Sequence, residues 1–230
     1  MKTIGLIGGM SWESTESYYR LINETIKVAL GGLHSAKLVL VSVDFAEIEK
    51  LQHQGKWEET ANILSDAAQS LEKAGADFIL ICTNTMHLVA PQVQAGISIP
   101  LLHIADATAE EIIKFGISKI GLLGTAFTME EDFYKGRLEK EYGLEVLVPN
   151  QADRKVVHQI IYDELCLGKI EDASRNEYIR IIDDLVEQGA EGVILGCTEI
   201  SLLVKPQHTT TELFDTTRIH ALKAVEKALG

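Results

Sequence analysis

The chain has 230 residues, of which 46% are hydrophobic, and its formal net charge is −13. These are the values of a globular protein, and they exclude a largely disordered chain. The length suits one large domain or two small ones. An acidic protein repels phosphate backbones, so we expect no nucleic acid partner, although a few local donors are enough to bind an anionic small molecule. No apolar run is long enough to span a membrane, so we expect no membrane partner.

Short β-branched or leucine-rich runs alternate with amphipathic stretches along the chain. They predict strands over residues 3–7, 38–43, 78–81, 101–104, 120–123, 146–148, 192–195 and 212–214. Helices are predicted over residues 14–30, 57–74, 105–115, 154–167 and 173–188, and a glycine follows each of them. This alternation predicts an α/β fold in which parallel sheets carry helices on both faces.

Two segments of the chain recur in the same order. IGLIGG, from Ile4, returns as IGLLGT 116 residues later. AGADFILICT, which contains Cys82, returns as QGAEGVILGCT, which contains Cys197 and one extra residue, Gly196. Two matches at nearly the same offset predict two similar α/β halves. No linker rich in proline or serine separates them, so we expect the halves to enclose a shared cleft.

The three cysteines are Cys82, Cys166 and Cys197. An odd, sparse set does not suit a disulfide framework, and no paired spacing of Cys or His indicates a metal site. The N-terminal apolar stretch is too short for a secretory signal, so we expect free thiols in a reducing cytoplasm and no metal. Cys166 has no counterpart in the repeat and is interpreted as a core residue or as a neighbour of the site without a chemical role. His87 follows Cys82 closely enough to bind its thiol, but we interpret it as a packed side chain.

Cys82 and Cys197 each follow a predicted strand and precede small polar residues. Ligands of open parallel sheets bind at the carboxyl ends of the strands, where a following helix also favours a thiolate. A buried free cysteine is commonly only a core residue, but a matched pair in two repeats favours function. Two thiols on opposite sides of a cleft can invert a carbon centre, because one removes a proton while the other delivers one.

Three motifs together resemble those of the aspartate/glutamate racemase family: GGMS from Gly8, CTNT from Cys82 and GCTE from Gly196. The resemblance covers the whole chain. It implies two pseudo-symmetric, Rossmann-like parallel-sheet domains with the active site in the cleft between them, racemisation of aspartate or glutamate without a cofactor, and a homodimer. It also implies that the C-terminal segment returns to the first domain, which gives domains of 1–104 plus 209–230 and of 105–208.

Carried onto this sequence, the resemblance makes Cys82 and Cys197 the acid–base pair. The substrate-binding residues that it implies are Met10, Thr83, Asn84, Thr85, Thr125, Thr198 and Glu199. Amide and hydroxyl groups among them can donate to substrate carboxylates, and Glu199 can accept from the substrate ammonium group.

The basic residues that some aspartate racemases use for carboxylate binding are missing from the corresponding stretches of this chain. We therefore add Gln52 as a candidate, with His53 and Arg154 as its alternatives. Glutamate racemases usually carry His at the position of Glu199, so this chain is closer to the aspartate branch or to a member of mixed specificity.

Two other classes of function compete with this interpretation. Related enzymes of the superfamily are decarboxylases, maleate isomerases and hydantoin racemases, built on similar cysteine sites. A dinucleotide-binding or other small-molecule-binding module without catalysis is the second alternative. The first loop resembles a dinucleotide-binding turn only loosely, because it lacks G-x-G-x-x-G, and a simple binder would not need two matched thiols.

Overall fold

The computed structural model describes residues 1–230. It contains two compact units, a first unit of Met1–Ile104 with His220–Gly230 and a second unit of Ala105–Ile219. Both are built on a sheet of parallel strands, so the predicted α/β class with two parallel-sheet domains is confirmed.

The first unit has a three-stranded parallel sheet of order β2-β1-β3. Its strands are β1 (Ile4–Gly8), β2 (Leu38–Ser42) and β3 (Phe78–Ile81). Its helices are α1 (Trp12–Leu30), α2 (Phe45–His53), α3 (Trp57–Lys73) and α4 (Ala90–Ala95), joined by most of α11 (Thr216–Leu229), and a 3₁₀ turn, Thr85–Val89, follows β3.

The side chains of β1 and β3 are buried on both faces of this sheet, as expected for parallel strands covered by helices. Ile79 and Ile81 pack into one apolar cluster with side chains of α3 such as Leu64. Phe78 and Leu80 pack into another, which includes side chains of α1 and α11. The sheet therefore forms the middle layer of three.

The second unit has a four-stranded parallel sheet of order β5-β4-β6-β7. Its strands are β4 (Lys119–Gly124), β5 (Glu145–Leu147), β6 (Gly192–Gly196) and β7 (Glu212–Asp215). Its helices are α5 (Ile104–Lys114), which begins at the boundary of the first unit, α6 (Ala126–Glu130), α7 (Lys135–Tyr142), α8 (Gln151–Asp163), α9 (Asp172–Glu187) and α10 (Ile200–Leu203). Side chains of α8, α9 and α10 share an apolar cluster with Val193 and Leu195 of β6.

Local signals explain where several helices begin and end. The side chain of Ser11 accepts a hydrogen bond from Ser14 N at the start of α1, and Asn150 accepts from Ala152 N and Asp153 N at the start of α8. All five glycines predicted to end helices have positive φ.

Some predicted elements and one domain boundary differ from the structure. The predicted strand 101–104 is reduced to a single bridge between Leu101 and Ile79, because α5 already begins at Ile104. The predicted helix 154–167 ends as α8 at Asp163 and continues as a 3₁₀ turn. Residues 209–219, assigned from the sequence to the first domain, belong to the second unit because β7 pairs with β6.

Candidate active site

In the first unit, the segment Cys82–Thr85 leaves the carboxyl end of β3. Cys82 N–H donates to Ile7 O of β1 at 2.9 Å, so the parallel pairing extends to this residue. The hydroxyl of Ser14, on α1, donates to Cys82 O at 3.3 Å. The loop then turns into the 3₁₀ segment, in which His87 N–H donates to Asn84 O at 3.0 Å. Asn84 and Thr85 are both buried.

Cys82 is completely buried in the apolar cluster that also holds Phe78 and Leu80. Because side chains alternate along a strand, these residues, spaced two apart, point to the same face of the sheet. Burial raises the pKa of the Cys82 thiol well above its ordinary value. The thiol is therefore protonated in the free protein.

In the second unit, Cys197 follows β6 directly and lies beside a buried carboxylate. The Cys197 thiol donates to Glu199 Oε2 at 3.0 Å, and the Thr198 hydroxyl donates to the same oxygen at 2.8 Å. Exposure of Glu199 is only 2%. Two donors thus converge on one oxygen of a carboxylate that is shielded from water.

Neighbouring hydrogen bonds hold this turn in place. The Ser201 hydroxyl donates to Thr198 O at 3.3 Å, and the Thr216 hydroxyl donates to Leu195 O at 2.9 Å. Asp215, at the end of the adjacent strand, accepts from Thr217 N at 2.9 Å and so caps α11. The carboxyl ends of β6 and β7 therefore form one hydrogen-bonded edge of the second sheet.

The electrostatic surroundings keep the Cys197 thiol protonated as well. Burial raises its pKa well above the ordinary value, and the negative charge of Glu199 raises it further. A hydrogen bond from Glu199 N–H acts in the opposite direction but is the weakest of these effects. Cys197 can become a thiolate only if its proton is taken up locally or the nearby charge is compensated.

The strand registers locate the one-residue insertion that separates the two cysteine segments of the repeat. Gly5 of β1 pairs with Ile79, and its repeat counterpart, Gly121 of β4, pairs with Val193. The ladders stay in step as far as Ile7 with Ile81 and Leu123 with Leu195, so the inserted residue of the second repeat is Gly196, directly before Cys197. Apart from this insertion, Cys82 and Cys197 both follow a strand of their sheet directly, β3 and β6 respectively. The catalytic roles of Cys82 and Cys197 stay predictions.

Met10 and Gln52 lie on the same side of the first sheet. Met10 is buried in the cluster of Ile79 and Ile81, and its peptide bond to Ser11 is cis. Gln52 is a buried residue of α2, and its Nε2 donates to Met86 Sδ at 2.9 Å, next to the Cys82–Thr85 segment in the chain. The structure thus brings Gln52 to the 3₁₀ turn that carries this segment.

Among the other candidates, Thr125 follows β4 and caps α6. Its side chain accepts a hydrogen bond from Thr128 N at 3.3 Å. The two alternatives to Gln52 are engaged elsewhere: Arg154 pairs with Glu130 at 2.8 Å and His53 pairs with Glu49 at 3.0 Å.

Sequence reasoning gave no site role to Ser14 and His87, which hold the segment after β3. Their positions after a Gly-rich turn and after CTNT were visible, but their hydrogen bonds to backbone oxygens were not. No group of three or more His, Cys, Asp or Glu side chains is arranged to hold a metal ion. None of the helices combines the length and apolarity needed to cross a bilayer.

Comparison with known proteins agrees with this fold. The family model described as Asp/Glu/Hydantoin racemase matches residues 7–224. A Yersinia pestis protein, solved as a proposed Asp/Glu racemase, is 57% identical with a TM-score of 0.93, and an aspartate racemase homologue from Pyrococcus horikoshii is 41% identical with a TM-score of 0.86. Each alignment covers 100% of both chains.

A broad specificity amino-acid racemase of Bacillus subtilis is 23% identical, over 99% of this chain and 98% of its own length. The chain belongs to the Asp/Glu/hydantoin racemase family. The family resemblance drawn from the three sequence motifs is therefore confirmed.

Proposed function

We propose that this protein is a cofactor-independent racemase of acidic amino acids in which Cys197 transfers the α-proton on one face of the substrate. The observation that carries this proposal is the thiol–carboxylate pair at the end of β6, where Cys197 Sγ lies 3.0 Å from Glu199 Oε2. Membership of the racemase family supports the reaction class. The names of the relatives include both aspartate and glutamate racemases, which supports acidic amino acids as substrates.

The hydrogen bond between Cys197 and Glu199 supplies a path for the proton. The thiol proton moves to Oε2, which leaves a thiolate and a neutral carboxylic acid. The thiolate then removes the α-proton and becomes a thiol again. In the opposite direction the Cys197 thiol gives its proton to the α-carbon, and the proton held on Glu199 returns to sulfur. The Thr198 hydroxyl at 2.8 Å keeps Oε2 oriented toward this exchange.

The second proton-transfer group comes from the adjacent residues Cys82 and Thr83. Cys82 has the more acidic side chain, with an ordinary thiol pKa of about 8.5. Thr83, the next residue of the loop, carries a hydroxyl and is the alternative. Variants of the two residues distinguish them, because only the group that faces the substrate is needed for inversion.

Neutral donors recognise the substrate carboxylates in this proposal. Asn84, Thr85 and Thr198 are buried at the carboxyl ends of the central strands of both sheets, and their amide and hydroxyl groups suit carboxylate oxygens. Removal of the α-proton places negative charge on the α-carboxylate, so donors already fixed in place stabilise the transition state more than the ground state.

Incubation with L-aspartate or L-glutamate in D₂O, followed by chiral chromatography and mass spectrometry, tests the proposal. We expect the opposite enantiomer to appear with deuterium at Cα while the recovered substrate remains largely protonated, since two groups serve the two faces. Turnover of maleate, arylmalonates or hydantoins without racemisation would instead favour the related isomerases and decarboxylases. Retention of NAD without turnover would favour a binding module.

Variants of single residues test which side chains transfer the protons. Cys197→Ser should abolish racemisation, whereas Cys166→Ala, which changes another thiol of the same unit, should leave the rate close to that of the wild type. Loss of racemisation in Cys82→Ala but not in Thr83→Val would identify Cys82 as the second group, and the reverse would identify Thr83. Near-wild-type racemisation by Cys197→Ser would refute the proposed role of that thiol.

A further inference from the structure

His87 joins the Cys82–Thr85 segment to the end of the first 104 residues. The side chain is only 1% exposed. Its Nδ1 lies 2.8 Å from Thr83 O, and Ile104 N–H donates to its Nε2 at 3.2 Å. Both ring nitrogens therefore bond to the backbone, one to the segment after β3 and the other to the residue at which α5 begins.

These two contacts define the protonation state of the ring. Because Ile104 N–H is a donor, Nε2 must present its lone pair. The proton of the neutral ring then resides on Nδ1, which donates it to the carbonyl oxygen of Thr83. The centroid of the ring lies 4.5 Å from that of His103 and 6.0 Å from that of His220.

His220 is fixed in the same neutral manner. Its Nε2 bonds to Leu102 O at 2.9 Å, which makes Nδ1 the acceptor of the Tyr18 hydroxyl at 2.8 Å. Burial and the neighbouring His87 lower its pKa to about 3. In each ring one nitrogen donates a hydrogen bond and the other accepts one, so both histidines act as neutral hydrogen-bonding groups.

We propose that His87 is a positioning residue that holds Thr83 and Asn84 in place for the reaction. The ring binds the carbonyl of Thr83, and the backbone N–H of His87 binds the carbonyl of Asn84 at 3.0 Å. Two consecutive peptide groups are thereby oriented by one residue, and with them the directions of both side chains. The inference rests on the proposed function, because Thr83 and Asn84 are substrate-facing residues only in that proposal.

Two conservative variants separate the two bonds of the ring. In His87→Asn the side-chain amide can still donate to Thr83 O, as Nδ1 does, whereas in His87→Gln the longer side chain reaches toward Ile104 N, as Nε2 does. We expect His87→Asn to retain kcat/KM within about threefold of the wild type, and His87→Gln to lose about 10- to 100-fold, because small displacements of reacting groups have effects of this size. His34→Asn, at an exposed histidine of the same unit, is the control.

A spectroscopic readout keeps the test independent of turnover. NMR of the ring nitrogens should show His87 protonated at Nδ1 only, and the carbonyl ¹³C shift of Thr83 should change in His87→Gln but not in His87→Asn. Equal losses of activity and of melting temperature in both variants, or a ring protonated at Nε2, would overturn the inference. An inactive wild-type protein would overturn the proposed function instead, and the carbonyl shifts would then decide the role of His87.

Discussion

The carboxylate of Glu199 should control the acidity of the Cys197 thiol, and Glu199→Gln removes its charge with little change in shape. Two unit charges about 4 Å apart interact by about 4 kcal/mol at an effective dielectric constant of about 20, which corresponds to about 3 pKa units. Sγ and Oε2 are 3.0 Å apart in a buried site. Removal of this repulsion should lower the pKa of Cys197 toward its ordinary value, while burial continues to raise it.

The assay is the pH dependence of iodoacetamide labelling at Cys197, resolved from the other cysteines by peptide mass spectrometry. The matched control is Glu191→Gln, the same substitution just before the opposite end of β6, where Glu191 accepts from Lys119 N at 2.9 Å. The control should leave the pKa of Cys197 unchanged.

Racemisation should decrease in Glu199→Gln although the thiolate fraction increases, because the amide cannot take up the thiol proton. A thiol pKa that stays the same or rises would refute the electrostatic argument. A lower pKa with undiminished racemisation would refute the proton path through Oε2.

Three further predictions concern stability. Gly9→Ala should destabilise the protein by about 3 kcal/mol or more in urea unfolding, because φ is +91° and a Cβ would lie 2.2 Å from Val43 O; Gly31→Ala, at φ +75° with open space around it, isolates the cost of the backbone conformation alone. The pKa of His220 is about 3 in the folded state, below the unfolded value of about 6.5, so the unfolded chain binds the proton first and stability is lost as pH falls between these values. Between pH 7 and pH 5 this loss should be about 2 kcal/mol in urea unfolding, and it should be absent in His220→Gln. Thr125→Ala should cost about 1 kcal/mol in thermal unfolding through the lost cap of α6, whereas Thr125→Ser should retain most of it.

The elements that the sequence predicts well are those whose signal is local. The strands β1, β3 and β6 are uninterrupted apolar runs because helices cover both faces, and the glycines at helix ends mark positions that need positive φ. Helix α7 was missed because its sequence, KGRLEKEY, has almost no apolar periodicity.

Long-range pairing is what the sequence could not supply. The strand with which β7 pairs depends on which sheet has an open edge. In the structure that strand is β6, and residues 209–219 therefore belong to the second unit rather than to the first. The sequence comparison shows one extra residue, Gly196, in the second repeat, and the strand ladders place it at the carboxyl end of β6.

In the candidate site, too, local features could be predicted from the sequence and long-range contacts could not. The segments after β3 and β6 could be predicted, because parallel strands gather their carboxyl ends at one edge of a sheet. The bond from Cys197 to Glu199, two residues further along, depends on how the backbone turns after Gly196. The bonds of His87 depend on a residue 17 positions away, Ile104, and no sequence pattern signals them.

The discontinuity of the first unit has a consequence for its biosynthesis. Its last segment, His220–Gly230, contributes Ala221, Ala224, Val225 and Ala228 to the cluster that covers Phe78 and Leu80. The 115 residues of the second unit are synthesised between Ile104 and this segment, which takes roughly 6–23 s at elongation rates of about 5–20 residues per second. During that interval the emerging first unit leaves an apolar face uncovered or bound to a chaperone. The second unit, continuous in sequence, is synthesised in full before the last segment of the first.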